Sequence, residues 1–323
     1  VFFLLLIVVA ILDIVIYIYE VPVENSINNV YDIIWWNVVT LTTVGYGDMY
    51  PTTYIGKVAT VLIMLSGIAT VAYLLSGIVE YVVDIHQKRE LGLLRVKMED
   101  HVVICNWNDR AYDLISQLNL HADIGEEIVV IDNALESRPL KTIQFVKGIP
   151  SDVETLVNAN VEKAKKVIIL AKGVDKSNAD ANTVLTALAV RSLNPNVFIC
   201  AEILATHNAV FLKNAQVDEI IDINTIVSRF IAQTAFDPKL LKVLNELVSN
   251  EDETCEIYRV KLPDNYQNLQ YKELFNMVKQ SHDSMVIALE DSKIDKVIMN
   301  PQYEKIYTAD YCFVISKEQP YFV

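Results

Sequence analysis

Thr42-Thr43-Val44-Gly45-Tyr46-Gly47-Asp48 lies between two long apolar runs, residues 1–19 and 58–79. A short Thr/Gly/Tyr loop between two spans is the layout of a pore. A cation stripped of water needs oxygens in place of its hydration shell. Carboxylates would bind it too tightly to release it. Backbone carbonyls are neutral but strongly dipolar, and four copies of an extended loop stack them in rings. Successive carbonyls face the same way only when φ alternates in sign, which Gly45 and Gly47 allow with no Cβ clash. The Thr43 hydroxyl adds an oxygen ring at the inner mouth. Val44 and Tyr46 are expected to point away from the axis and brace the loop. Gly-Tyr-Gly alone is a common turn; the seven residues between two spans carry the signal.

The chain has 323 residues, is 52% hydrophobic and carries a formal charge of -14, which argues against a nucleic-acid partner. About 240 residues remain after the membrane part, enough for one or two soluble domains. Cys105, Cys200, Cys255 and Cys312 are scattered, with no CxxC, and read as free thiols in a reducing cytoplasm. The histidines are scattered too, and no Ser/His/Asp or Cys/His grouping occurs, so no catalytic residue is assigned. Val1 is not an initiator Met, so a preceding piece is expected, and the chain is left open to continue past Val323.

Residues 1–84 read as a pore module of outer helix, pore helix, filter and inner helix. The first run reaches about 28 Å, roughly one hydrocarbon thickness. Its one polar residue is Asp13, either a site on an ion pathway or a carboxyl facing protein. No basic region precedes the run and no small-residue cleavage pattern follows it, unlike a signal peptide. Residues 20–29 are polar, and Pro22 ends the helix before an outer loop. Residues 30–43 are too short to span and read as a re-entrant pore helix, its negative end favouring a cation. Trp35 and Trp36 pack behind the filter or form an interface belt. No Lys or Arg precedes Lys57, whereas Lys88, Arg89, Arg95 and Lys97 follow the second span, so the filter side is outside. Gly67, mid-span, is expected to be a gating hinge; the alternative is close helix packing. Glu80 and Asp84 either gather cations at the inner mouth or are simply solvated.

Residues 85–99 form a charged linker with helical character. Apolar strands are then expected at 101–107, 127–132, 142–146, 166–171, 197–202 and 219–222, with helices at 109–119 and 179–192 between them. The alternation predicts a parallel, doubly wound, Rossmann-like α/β domain over 100–250, covered on both faces. A dinucleotide fingerprint would fall on Asn106, Asn108 and Ala111. Asn tolerates positive φ, but its side chain obstructs a pyrophosphate. Asp132, 21 residues after Ala111, stands where a ribose-binding acid belongs. Two readings remain open: a nucleotide site using Asn106 and Asp132, with Arg110 or Arg138 on phosphates, and an empty structural turn. Helices at 225–235 and 238–249 suit a subunit interface, with an acidic linker at 250–253. Residues 251–323 read as a small α+β subdomain, with strands at 256–262, 285–290, 296–299 and 311–316 and a helix at 271–279.

Along nearly its whole length the chain resembles prokaryotic two-transmembrane potassium channels with a C-terminal RCK domain (regulator of potassium conductance), similar to the calcium-gated ones. The carrying residues are the filter and His101-Val102-Val103-Ile104-Cys105-Asn106-Trp107, which resembles the first RCK strand. The resemblance implies K+ held at Thr43, Val44, Gly45, Tyr46 and Gly47. It implies a homotetramer in the plasma membrane, with a cytoplasmic ring of eight RCK domains. Four of these would come from soluble copies or from sequence outside this chain. A ligand in the cleft between paired RCK domains would expand the ring, pull the linker and splay the inner helices near Gly67. For calcium, Asp180 and Glu202 match two family acids, but Leu204 stands at the third. Two carboxylates fall short of the about six to eight oxygens calcium takes, and both also fit solvated surface acids. The expected ligands are Ca2+ and ADP/ATP or NAD, with the sign of the response left open. The alternatives are a membrane-tethered nucleotide-binding regulatory protein, which the chain's own filter makes needless, and an NAD-dependent oxidoreductase, against which the missing glycines argue.

Overall fold

The computed structural model describes residues 2–23, 26–120, 127–173, 175–248, 254–263, 266, 269–294 and 296–322. The chain divides into two compact units, Val1–Lys88 and Arg89–Val323. The expected linker at 250–253 lies outside the described residues.

The first unit holds three helices: α1 (Phe2–Glu20), α2 (Val30–Leu41) and α3 (Tyr54–Glu90). α1 and α3 are long and apolar enough to cross a membrane; α2, with 12 residues, is not. Asn29 caps α2, its side chain accepting from Asp32 N at 3.0 Å, while Asp32 accepts from Asn28 N at 2.9 Å. Ile16, Ile33, Trp36, Ala59 and Ile63 bind the three helices into one core. α3 runs six residues into the segment expected to be a linker, because nothing from 85 to 90 breaks a helix; the breaker is Gly92, with φ +68°. α3 is also unbroken at Gly67. A Cβ there would lie 1.9 Å from Leu41 Cδ2, so this glycine admits the end of α2.

In the second unit a six-stranded sheet runs β1 (Val102–Cys105), β2 (Ile128–Asp132), β3 (Gln144–Lys147), β4 (Lys166–Ile169), β5 (Phe198–Ile203) and β6 (Glu219–Asp222). The spatial order is β3-β2-β1-β4-β5-β6, with every pairing parallel. Each of β1 and β2 is buried along its length, as a sheet covered on both faces requires. Between strands lie α4 (Ala111–Leu120), α5 (Val153–Asn158), α6 (Lys176–Leu193) and α7 (Ala209–Asn214). Fully buried Val103, Ile131, Leu156, Ile169 and Ile199 anchor one face of the sheet, at about 1.5–3 kcal/mol per side chain. α8 (Ile223–Phe236) and α9 (Leu240–Val248) follow, with no buried residue in either.

The last element group is an antiparallel sheet of β7 (Glu256–Lys261), β8 (Met285–Asp291), β9 (Lys296–Met299) and β10 (Tyr311–Ser316), with α10 (Tyr271–His282) packed against it. Its order is β7-β10-β8-β9. A reciprocal capping box of Gln270 and Glu273 starts α10.

Candidate functional site: the pore loop and the sheet crevice

The pore loop leaves α2 through Thr42, whose hydroxyl donates to Val38 O at 2.6 Å. Val44 N and Gly45 N both donate to Val39 O, at 3.1 and 3.2 Å, so one carbonyl of α2 anchors the loop. φ is positive at Thr43 (60°), Gly45 (60°) and Gly47 (74°), alternate residues of one loop. Gly45 and Gly47 have nothing within 4 Å of an added Cβ. Within the chain, the demand on them is therefore conformational. Thr43 shares that conformation at the cost a β-branched side chain carries. Tyr46 lies on Trp35 with ring centroids 6.2 Å apart and planes 9° apart, and Trp35 Nε1 donates to Asp48 at 3.0 Å. Of the two tryptophans, Trp35 braces the loop, while Trp36 is buried in the helix core.

Beyond the filter, Ser26 Oγ donates to Tyr50 O at 2.7 Å and accepts from Tyr50 N at 3.1 Å. Glu20 is 1% exposed, and its carboxylate accepts from the amides and hydroxyls of Thr52 and Thr53 at 2.5–3.1 Å. It pins the start of α3 to the end of α1. Asp13 accepts from Asn37 Nδ2 at 2.5 Å, tying the middle of α1 to α2. Of the two readings of Asp13, this geometry describes the carboxyl that faces protein.

In the second unit the strand order reverses between β1 and β4, and the crevice at their C-terminal ends is where ligands of such sheets sit. Asn106 has φ 71°, so the tight turn survives without glycine. Its side chain donates to Leu170 O at 2.9 Å, and that of Asn108 to Ala171 O at 3.0 Å; both cross from the β1 turn to the end of β4. Arg110 grips Glu202 through Nε (2.9 Å) and Nη2 (2.7 Å), and Ala171 N adds a third donor at 2.8 Å. Asp132 is fully buried and accepts from Trp107 N, Ala134 N, Leu135 N and Lys172 Nζ at 2.5–3.0 Å. Burial raises its pKa, but the Lys172 and backbone hydrogen bonds outweigh burial and hold it below the ordinary carboxylate value. Lys172, 40 residues along, carried no motif by which sequence reasoning could find it.

Asp180 is 1% exposed and accepts from Leu204 N (2.8 Å), Ala205 N (3.0 Å) and Asn208 Nδ2 (2.9 Å). It is a loop cap, and the surface-acid alternative for Asp180 and Glu202 does not describe either, since both are buried. Every oxygen of the two carboxylates already has a donor. Among the described residues no group of three or more His, Cys, Asp or Glu is placed to hold a metal ion. Arg138 is taken up elsewhere: Nη2 meets Glu90 Oε1 at 2.5 Å.

Residues 4–84 match the ion channel family model, and residues 97–201 match the calcium-activated potassium channel slowpoke-like RCK domain. The putative potassium channel protein YugO of Bacillus subtilis is 30% identical over 93% of this chain and 90% of its own length. The chain belongs to the family of two-span potassium channels with an RCK domain. The calcium-gated potassium channel TvoK of Thermoplasma volcanium is 31% identical over 71% of this chain and 66% of its own length. Two solved structures share the fold: the human SLO3 gating ring (TM-score 0.53, 18% identity, 68% of this chain and 44% of that one) and the GsuK channel bound to NAD (TM-score 0.50, 17% identity, 97% and 55%). The chain thus spans about half the length of those two structures. As in other members of its family, the first unit is a membrane pore module and the second an RCK domain.

Proposed function

We propose that this potassium channel conducts K+ through four copies of the loop Thr43-Val44-Gly45-Tyr46-Gly47 in a homotetramer, gated by ligand binding to a cytoplasmic RCK ring. The carrying observation is the positive φ at Thr43, Gly45 and Gly47. Alternation of that kind turns successive carbonyls to one side, and one chain supplies only one side of a ring of oxygens. Eight RCK domains make the ring, four of them from soluble copies or from further sequence, and the pore lies in the plasma membrane. The chain is read as a channel and not as an enzyme. Opening takes place at α3, with Gly67 as the proposed hinge, where loss of the Leu41 contact would accompany bending.

The ligand is a nucleotide or calcium. Asp132 at the end of β2 favours a ribonucleotide, whose ribose would take the carboxylate position now held by Lys172, the one side-chain donor among four. Arg110 stands beside the same turn for a phosphate. For calcium at Asp180 and Glu202, Glu202 would first have to leave Arg110; the name of TvoK keeps this reading in view. Single-channel recording with calcium, ADP and NAD applied separately to the cytoplasmic face tests the proposal. A change in open probability with at least one of them is expected, and indifference to all three would contradict ligand gating.

A further inference from the structure

The segment between the last turn of α3 and β1 is not slack. Within the second unit, Arg138 N donates to Glu90 O at 2.8 Å while its guanidinium meets the Glu90 carboxylate at 2.5 Å. Two residues on, Lys147 N donates to Gly92 O at 2.9 Å. Gly92 lies so close to β3 that an added Cβ would sit 2.6 Å from Lys147 N and from the Phe145 ring. Val96 N then bonds Asn158 O at 2.8 Å, and Asn160 Nδ2 bonds Met98 O at 2.6 Å. The Arg138 loop, β3 and the end of α5 with the turn after it therefore hold this segment at residues 90, 92, 96 and 98, beginning at the final residue of α3.

The holding side is connected to the crevice. Asp132 Oδ1 accepts from Ala134 N and Leu135 N and so shapes the start of the loop that carries Arg138. Only Glu136 and Ser137 separate Leu135 from Arg138. Arg138 is 13% exposed at its side chain, and its Nε is buried with no partner among the described residues. The pair is buried on the Arg138 side and half open to water on the Glu90 side, where the side chain is 47% exposed, and the backbone bond from Arg138 N to Glu90 O reinforces it.

We infer that the Arg138–Glu90 pair is the joint through which the RCK domain moves the inner helix. The inference rests on the gating role proposed above. A rearrangement around Asp132 shifts the loop, the loop carries Arg138, and Arg138 carries Glu90 with the end of α3. Because the docked segment has no slack, displacement of the loop is passed on without loss to a tether.

The test is a charge exchange in the full channel reconstituted in planar bilayers. Arg138→Glu and Glu90→Arg are each expected to shift basal open probability and to shrink the response to ADP or calcium about fivefold or more. Unitary conductance and potassium selectivity should stay native, since the filter is untouched. The double exchange should restore both gating measures. Arg138→Gln and Glu90→Gln replace the reversals if those prevent assembly, with the same direction and no rescue. Native gating in the single variants, or a double exchange no better than either single, overturns the inference. If native channels ignore both ligands while basal open probability still shifts and is rescued, the joint stands and the ligand assignment fails. If neither measure moves in any variant, the joint itself is wrong.

Discussion

The carboxylate of Glu20 occupies the space a side chain at position 56 would need: a Cβ on Gly56 would fall 2.0 Å from Glu20 Oε1 and 2.9 Å from Thr53 Oγ1. The acid at the end of α1 and the bare backbone at the start of α3 are two halves of one contact. Gly56→Ala should destabilise the assembled channel by about 1–3 kcal/mol through overpacking. Glu20→Gln, which turns an acceptor into a donor opposite Thr52 and Thr53, should cost a similar amount. Thermal dissociation of the detergent-solubilised oligomer measures both. Native stability in both variants would show that the contact contributes little.

Asp13 and Asn37 form the polar link between α1 and α2. Asp13→Leu leaves the buried Asn37 amide without its acceptor and should lower oligomer stability by about 1–3 kcal/mol. Asp13→Asn retains an acceptor and should stay close to native. Equal loss in the two variants would mean that the charge, and not the hydrogen bond, is what α1 contributes there.

Asp132 predicts a pH dependence. Its folded pKa lies below the ordinary carboxylate value, so its contribution is present in full above about pH 4 and is lost as pH falls through the folded value. Asp132→Asn should lower stability at neutral pH and flatten the acid limb of a pH–stability profile of the full channel. A limb as steep as that of the native protein would remove Asp132 from the account.

Asp180 accepts from three donors supplied by the protein itself. Asp180→Asn should therefore destabilise the RCK domain by about 1–3 kcal/mol in chelator. A defect seen only with calcium present would restore Asp180 as a sensor ligand.

Much of this was legible in the chain order because it is local. The filter signal is seven consecutive residues, and β6, β9 and β10 occur where apolar runs of strand length stand between turn residues. The far end of α3 is harder to read, since residues 85–90 are charged yet contain no breaker. What escaped were partnerships made in space. Glu20 reads as the start of a polar loop until Thr52 and Thr53, over 30 residues later, fold onto it. Arg138 reads as a phosphate ligand until Glu90, 48 residues earlier, claims it. Acidic residues such as Asp180 and Glu202 look available in a sequence; whether an internal donor already satisfies them depends on how the loops close.

The central claim is that the loop from Thr43 to Gly47 selects potassium. Purified protein in a planar bilayer, with potassium high on one side and low on the other and sodium making up the balance, tests it through the reversal potential of single-channel currents. The account predicts reversal near the potassium equilibrium potential. Reversal near zero, with Gly45 and Gly47 intact, would contradict it.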